Sequence, residues 1–337
     1  MRLRPETVLE AAKLVETSER VFMLAMGTSG HAARAGNHMF ASIGGVLPSF
    51  ALASDFSDTV YGTLSKRDLI IAITQSGETT DTLSAVKYAK KFGVKVVAVT
   101  NVVGSSITRM ADHTILTQAG PEIGVAATKT FMVQLTSLAQ IALSLGKLTG
   151  FKDAEILQTK QDGLERLPDI VSDVIATEEE HARRIAGLLY NSPSMLFLGR
   201  GISMATSDEG ALKLKEIAYN HAEAYSAGES KHGPIALVED GYPVVFVAPN
   251  DATRGRIIGN IMEMKARGAS IISVIENGDT DLASLSDHSF TTPKGVEPEF
   301  SILPYVVPLQ LFSYYMATRK GYDPDKPRNL AKSVTVL

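Results

Sequence analysis

The chain states one folding pattern twice. Val21 to Met26 is a short apolar run that ends in Gly27-Thr28-Ser29-Gly30, and Met195 to Leu198 is another that ends in Gly199-Arg200-Gly201. A second buried run, Leu69 to Ile73 in the first half and Val244 to Ala248 in the second, leads into a polar loop that lies roughly fifty residues after each glycine turn. A third run closes each half, Val94 to Thr100 and Ala269 to Ile275, and a shorter one lies near Thr114 to Thr117. Helical patterns fill the gaps, over about 31–43, 81–92, 128–145, 206–225 and from the Pro249-Asn250-Asp251 loop to Arg267. Apolar strands alternating with helices predict an α/β protein with parallel sheets. The repeat predicts two similar doubly wound domains, each a three-layer αβα unit of flavodoxin-like form. The boundaries read as 1–150 for the first domain, 151–190 for connecting helices, 191–320 for the second domain and 321–337 for a C-terminal tail. The connector is rich in Glu, Lys, Asp and Gln without Gly or Ser runs, so helices are expected there and not a flexible linker.

Composition narrows the function. A formal charge of -4 and the lack of any Lys/Arg-rich run predict neither a nucleic-acid nor an anionic-membrane partner. The N-terminal stretch alternates charged and apolar residues, unlike a signal peptide, and no later segment reads as a bilayer span, so no membrane partner and a cytoplasmic location are expected. The chain has no cysteine, which leaves no disulfide, no Cys-ligated metal and no thiol nucleophile.

Four places carry candidate chemistry. Ile73-Thr74-Gln75-Ser76-Gly77-Glu78-Thr79-Thr80-Asp81 joins a buried strand to a helix. Helix N-terminal N–H groups there favour an anion, Gly77 permits a sharp turn, and Thr74, Ser76 and Thr79 add hydroxyl donors. The absence of Gly-Lys-Ser/Thr argues against a Walker loop and hence against a nucleotide with magnesium. The Gly27-Thr28-Ser29 turn is a second wall for the same ligand. The plainer alternative is that these Ser and Thr residues only cap helices.

Glu209, Lys213 and Glu216 fall at i, i+4 and i+7 and share a helix face, while Ala211, Leu214 and Ile217 take another. On a surface helix such a stripe is ordinarily a solvated, salt-bridged face. Its start at the second glycine turn, beside the expected ligand edge of the sheet, argues instead for a base able to shuttle a proton between adjacent sugar carbons. His232 lies on a loop between Glu229 and Pro234, able to move a proton during ring opening or merely to bond a carbonyl. Lys332 in the tail Asn329-Leu330-Ala331-Lys332-Ser333 is either a Schiff-base lysine or an exposed surface residue, and the tail's apolar residues suit docking.

Several of these stretches together resemble the isomerase half of glutamine–fructose-6-phosphate amidotransferases, a family built from two sugar isomerase (SIS) domains. They are Thr74 to Thr79, Asn101 to Ser106, Ala119 to Ala126, Glu209 to Glu216, His221 to Tyr225, Lys231 to Pro234 and Pro327 to Val336, covering nearly the whole chain. The resemblance implies that Gly27, Thr28, Ser29, Thr74, Gln75, Ser76 and Thr79 hold a sugar phosphate, with Val125 and Ala331 lining the sugar. It implies Glu216 as the C1–C2 proton carrier supported by Glu209 and Lys213, His232 as the ring opener supplied across a homodimer, and Lys332 as the Schiff-base lysine. No metal and no cofactor is implied. Thr74 and Ala127 stand where the family usually has serine, and 202–208 follows its pattern poorly. With no cysteine, glutamine hydrolysis by this chain is not expected. The implied activity is interconversion of glucosamine 6-phosphate with fructose 6-phosphate and ammonia, as in isomerase-type deaminases. A fructosamine-6-phosphate deglycase, an excised domain of a longer synthase and a non-catalytic sugar-phosphate sensor stay open as alternatives.

Overall fold

The computed structural model describes residues 3–332. Contact clustering divides the chain into two compact units. Among the described residues, the first holds 3–123, 127–164 and 331–332, and the second holds 124–126 and 165–330.

The first unit runs α1 (Pro5–Glu16), β1 (Arg20–Ala25), α2 (Gly27–Gly44), β2 (Ser49–Leu52), α3 (Phe56–Val60), β3 (Asp68–Ile73), α4 (Thr80–Lys90), β4 (Lys95–Thr100), α5 (Ser106–Met110), β5 (His113–Leu116) and α6 (Lys129–Thr149). Its strands form one parallel sheet in the order β2-β1-β3-β4-β5. β3 is buried along its whole length, and after Asp68, which is ion-paired with Arg20, an unbroken apolar run from Leu69 to Ile73 and not an alternating one forms it. Chain direction across the sheet reverses between β1 and β3, which are neighbours in register from Arg20↔Asp68 to Leu24↔Ala72. The loops after both strands therefore leave the same sheet edge side by side, where ligands of open α/β sheets sit.

α7 (Ala154–Leu189) follows, a single 36-residue helix with Pro168 inside it, where several connecting helices were expected. The second unit continues with β6 (Ser194–Gly199), α8 (Ile202–Lys213), β7 (His221–Ser226), β8 (Pro243–Ala248), α9 (Arg254–Lys265), β9 (Ser270–Glu276), α10 (Thr280–Leu285), β10 (His288–Thr292) and α11 (Ile302–Arg319). Its parallel sheet has the order β10-β9-β8-β6-β7, the same winding as the first, with the reversal between β6 and β8. The expected fold, two doubly wound three-layer α/β units, is the one observed.

Several local expectations differ. The Gly27-Thr28-Ser29-Gly30 segment is the opening turn of α2, not a loop before it. The helix expected to reach Tyr225 ends at Ala218, and 221–226 is the edge strand β7, paired with β6 from Ser194↔His221 to Gly199↔Ser226. Ala and Glu there have helical propensity, but an open sheet edge supplies backbone partners that local preference does not register. β2, β10 and α11 were not singled out in the sequence. No bilayer-length segment was expected, yet α6 has the length and apolar composition of one. It lies against α2 as a core helix, 61% of its most apolar stretch being buried. The two helices approach closely because a Cβ at Gly146 would lie 2.5 Å from the Ile43 carbonyl oxygen.

Candidate active site

In the first unit, the 74–79 loop is braced by its own hydroxyls. Thr74 Oγ1 lies 3.2 Å from Thr79 Oγ1 and accepts the Gly77 N–H at 3.3 Å, while Ser76 Oγ accepts the Glu78 N–H at 3.1 Å. Thr79 is the N-cap residue of α4 but makes no side-chain cap bond, so the simple capping account fails for it. Gly77 has φ +70°, and a Cβ there would fall 2.2 Å from Ser105 Oγ and 2.9 Å from Ile107 Cγ2. Glycine at 77 thus lets the loop press onto the 105–107 segment as well as turn. Glu78 turns the other way and accepts the Ser106 N–H at 2.7 Å, which holds its carboxyl below the usual range through the Ser106 hydrogen bonds. Beside this loop, the opening turn of α2 carries no cap on Met26. Ser29 Oγ accepts from Gln134 Nε2 at 3.0 Å, which leaves its own O–H to donate elsewhere.

Lys332 lies in the first unit, where its Nζ is 2.8 Å from Glu122 Oε2. Glu122 also accepts the Thr128 N–H at 2.8 Å and the Thr130 hydroxyl, so one carboxylate serves the start of α6 and the tail lysine together. Burial works against its charge, but Lys332, Thr130 and Thr128 outweigh that and hold the carboxyl below its ordinary value.

In the second unit, Glu209 and Lys213 are 0% and 1% exposed. Lys213 Nζ lies 3.2 Å from Glu209 Oε1 and 2.5 Å from Glu216 Oε2. Burial opposes the ammonium charge, yet the two carboxylates hold the Lys213 pKa above the ordinary lysine value. After Lys213 the helix widens into a π turn, Leu214–Ala218, which carries Glu216. Such turns are rare and recur at functional sites. Glu216 keeps 21% of its side chain exposed and is the member that solvent or a ligand can reach. The stripe is therefore not a solvated face: α8 is buried on its charged side too.

Residues 14–144 and 188–320 both match the SIS domain family, more than half the chain. The chain belongs to the SIS domain family. It is 47% identical over 331 residues to a glutamine–fructose-6-phosphate aminotransferase of Thermococcus kodakarensis, covering 98% of this chain and 54% of that protein. It is 48% identical over 327 residues to the Pyrococcus horikoshii protein of the same name, covering 97% and 53%. The chain thus spans about half the length of the curated relatives it matches. Among solved structures it is similar to the C-terminal domain of glucosamine–fructose-6-phosphate aminotransferase from Francisella tularensis, at 32% identity and a TM-score of 0.86, covering 96% of this chain and 95% of that one.

The other candidates are dispersed over the two SIS units. His232 is exposed in a short 3₁₀ turn, Ser230–His232, held by its backbone N–H to Glu229 O at 2.9 Å. Val125 groups with the second SIS unit and donates its N–H to Asp325 O at 3.1 Å. Ala331 precedes Lys332 in the first, and the tail beyond, Ser333 to Leu337, lies outside the described residues. Two polar partners escaped the sequence analysis. Gln134 sits in an apolar helix, where only its burial to 2% exposure marks it as unusual, and Glu122 was noted within a matching stretch without a role. Among the described residues, no group of three or more His, Cys, Asp or Glu is placed to hold a metal ion.

Proposed function

We propose that the chain is a sugar-phosphate isomerase of the SIS type that interconverts glucosamine 6-phosphate with fructose 6-phosphate and ammonia. The observation that carries this reading is the buried Glu209–Lys213–Glu216 array with only Glu216 reaching the surface. A binding protein has no use for two carboxylates sharing one buried ammonium, because desolvating them costs stability. A base needs that arrangement to stay oriented and ready.

On this reading the phosphate is held by the hydroxyls and N–H groups of Thr74, Gln75, Ser76 and Thr79, with Gly27, Thr28 and Ser29 as the second wall and Gln134 turning the Ser29 hydroxyl outward. Val125 and Ala331 line the sugar. His232, from the partner subunit of a homodimer, moves the proton that opens the ring. Lys332 adds to the C2 carbonyl of the open ketose and water leaves, giving a Schiff base. Glu216 takes the proton from one of C1 and C2 and returns it to the other, with Lys213 fixing its carboxylate and Glu209 fixing Lys213. The Lys332 ammonium must leave Glu122 and lose a proton before it attacks, so Glu122 is its resting partner.

Similarity to half of the aminotransferases favours a second reading, in which the same isomerase chemistry uses ammonia supplied by a glutamine-hydrolysing segment or subunit. One experiment tests the isomerase chemistry common to both. The purified chain is incubated with glucosamine 6-phosphate while ammonia and fructose 6-phosphate are followed, beside Glu216→Gln and Lys332→Ala. Equal release of both products, lost in the variants, is expected. Interconversion of fructose 6-phosphate with glucose 6-phosphate, with no ammonia released from glucosamine 6-phosphate, would point to a plain aldose–ketose isomerase, and saturable binding without turnover by a folded chain would leave a sensor.

A further inference from the structure

Tyr219 ends the π turn that carries Glu216, and it does so in the left-handed conformation, with φ +57° and ψ +29°. Glycine or asparagine normally takes that C-terminal position, and a bulky aromatic there is a steric outlier. The backbone strain is accompanied by an unusual set of side-chain contacts. Its hydroxyl oxygen accepts the Arg328 N–H at 2.7 Å. The Arg328 guanidinium lies 4.2 Å from its ring centroid, and the Tyr322 ring lies 4.7 Å away. One side chain thus grips the segment 322–328 at both ends. Lys320, just before that segment, donates to Ala218 O at 2.9 Å and to Asn220 Oδ1 at 2.6 Å, closing the same turn from the other side. Four residues beyond Arg328 the chain reaches Lys332.

We propose that Tyr219 is a positioning residue that anchors the C-terminal strap bearing Lys332 to the turn bearing Glu216. This deepens the isomerase reading and rests on it for the roles of those two residues. An ordinary helix end explains neither the aromatic side chain nor the hydroxyl aimed at a backbone N–H more than a hundred positions away. Because the strap and the turn share one clamp, loosening it disturbs the lysine without touching either reacting group. Arg328 belongs to both contacts, hydrogen bond and cation–π, so the strap is held in direction as well as position.

The test separates anchoring from chemistry. Trypsin cleaves after Arg328 but not readily at Lys326-Pro327, so release of the peptide beginning at Asn329, followed by mass spectrometry of the intact chain, reports opening of the strap. Tyr219→Phe keeps the ring and loses the hydroxyl, and release is expected to quicken about fivefold, the equivalent of one lost hydrogen bond. Tyr219→Gly relieves the backbone strain and removes the whole clamp, so release is expected to quicken further even where the melting temperature holds or rises. In parallel, borohydride reduction with fructose 6-phosphate should trap Lys332 more slowly in both variants, with kcat falling more than KM changes. Wild-type release rates in Tyr219→Gly, or slowed trapping with unchanged release, would overturn the anchor. A wild-type chain that neither turns over nor is trapped would sink the isomerase reading instead, and the release rates would still decide whether Tyr219 holds the strap.

Discussion

Lys332 and Glu122 are 210 positions apart in sequence and meet at 2.8 Å. The carboxylate that receives the tail lysine is the same one that accepts the Thr128 N–H at the head of α6. Tail and helix start are therefore stabilised by one group. Replacing Glu122 by Gln keeps the amide as an acceptor for α6 but removes the ion pair. The expected result is a stability loss of about 1 kcal/mol in urea unfolding, and Glu122→Ala should lose about 2 kcal/mol because the cap goes as well. On the isomerase reading both variants also lower the yield of the borohydride-trapped Lys332 adduct.

The same pair gives a pH dependence with a definite sign. The Glu122 carboxyl titrates below its ordinary value in the folded chain, so it binds fewer protons there than in the unfolded chain. Its contribution is complete above the unfolded carboxyl value of about 4.3 and is lost as pH falls through the lower folded value. Urea midpoints of the wild type and Glu122→Gln should differ at pH 6 and converge below about pH 4. A gap that persists to pH 2 would show that the ion pair is not its source.

Lys213 is the costly residue of the second unit. Lys213→Met leaves two carboxylates facing each other in a buried site, and a loss of about 3–5 kcal/mol is expected by thermal or chemical unfolding. Adding Glu209→Gln should recover part of that loss, because a buried charge is removed. If the double variant is no more stable than the single one, mutual repulsion is not what the lysine relieves.

Glu216→Gln should behave differently, since its side chain is the accessible member. Folding should stay within about 1 kcal/mol of wild type, while exchange of the sugar C1–C2 proton with solvent falls by about a hundredfold or more. Retained exchange in a folded variant would remove Glu216 from the role of base.

Gly77→Ala tests the proposed phosphate site at 74–79. The new Cβ meets Ser105 at 2.2 Å in a left-handed backbone, so the loop must shift. A destabilisation of about 2 kcal/mol is expected, with weaker binding of inorganic phosphate or fructose 6-phosphate by titration calorimetry. Ser105→Gly in the same chain should return part of the binding.

The sheets were readable from the sequence because their information is local. Strands buried on both faces read as near-continuous apolar runs, and β1, β3, β4, β6 and β8 do so apart from their end residues, while β9 is broken only by Ser273 inside it; the glycine-bearing turns after β1 and β6 repeat the pattern and announce two copies. The residue types of the loop at 74–79 and of the array at 209–216 were legible for the same reason, as hydroxyls at a helix start and charges at helical spacing. Whether those charges were solvated was not legible. Glu209, Lys213 and Glu216 have the pattern of an ordinary surface face, and only the packing that buries Lys213 turns it into a charge-coupled array. The edge strand at 221–226, the π turn and the left-handed Tyr219 were hidden too, because each depends on a partner far along the chain: β6, Lys320 and Arg328. Fold class, duplication and chemical inventory follow from periodicity and composition that each segment carries alone. Tertiary structure alone decided which charges are paired, since burial and ion pairing are set by contacts between residues as distant as Glu122 and Lys332.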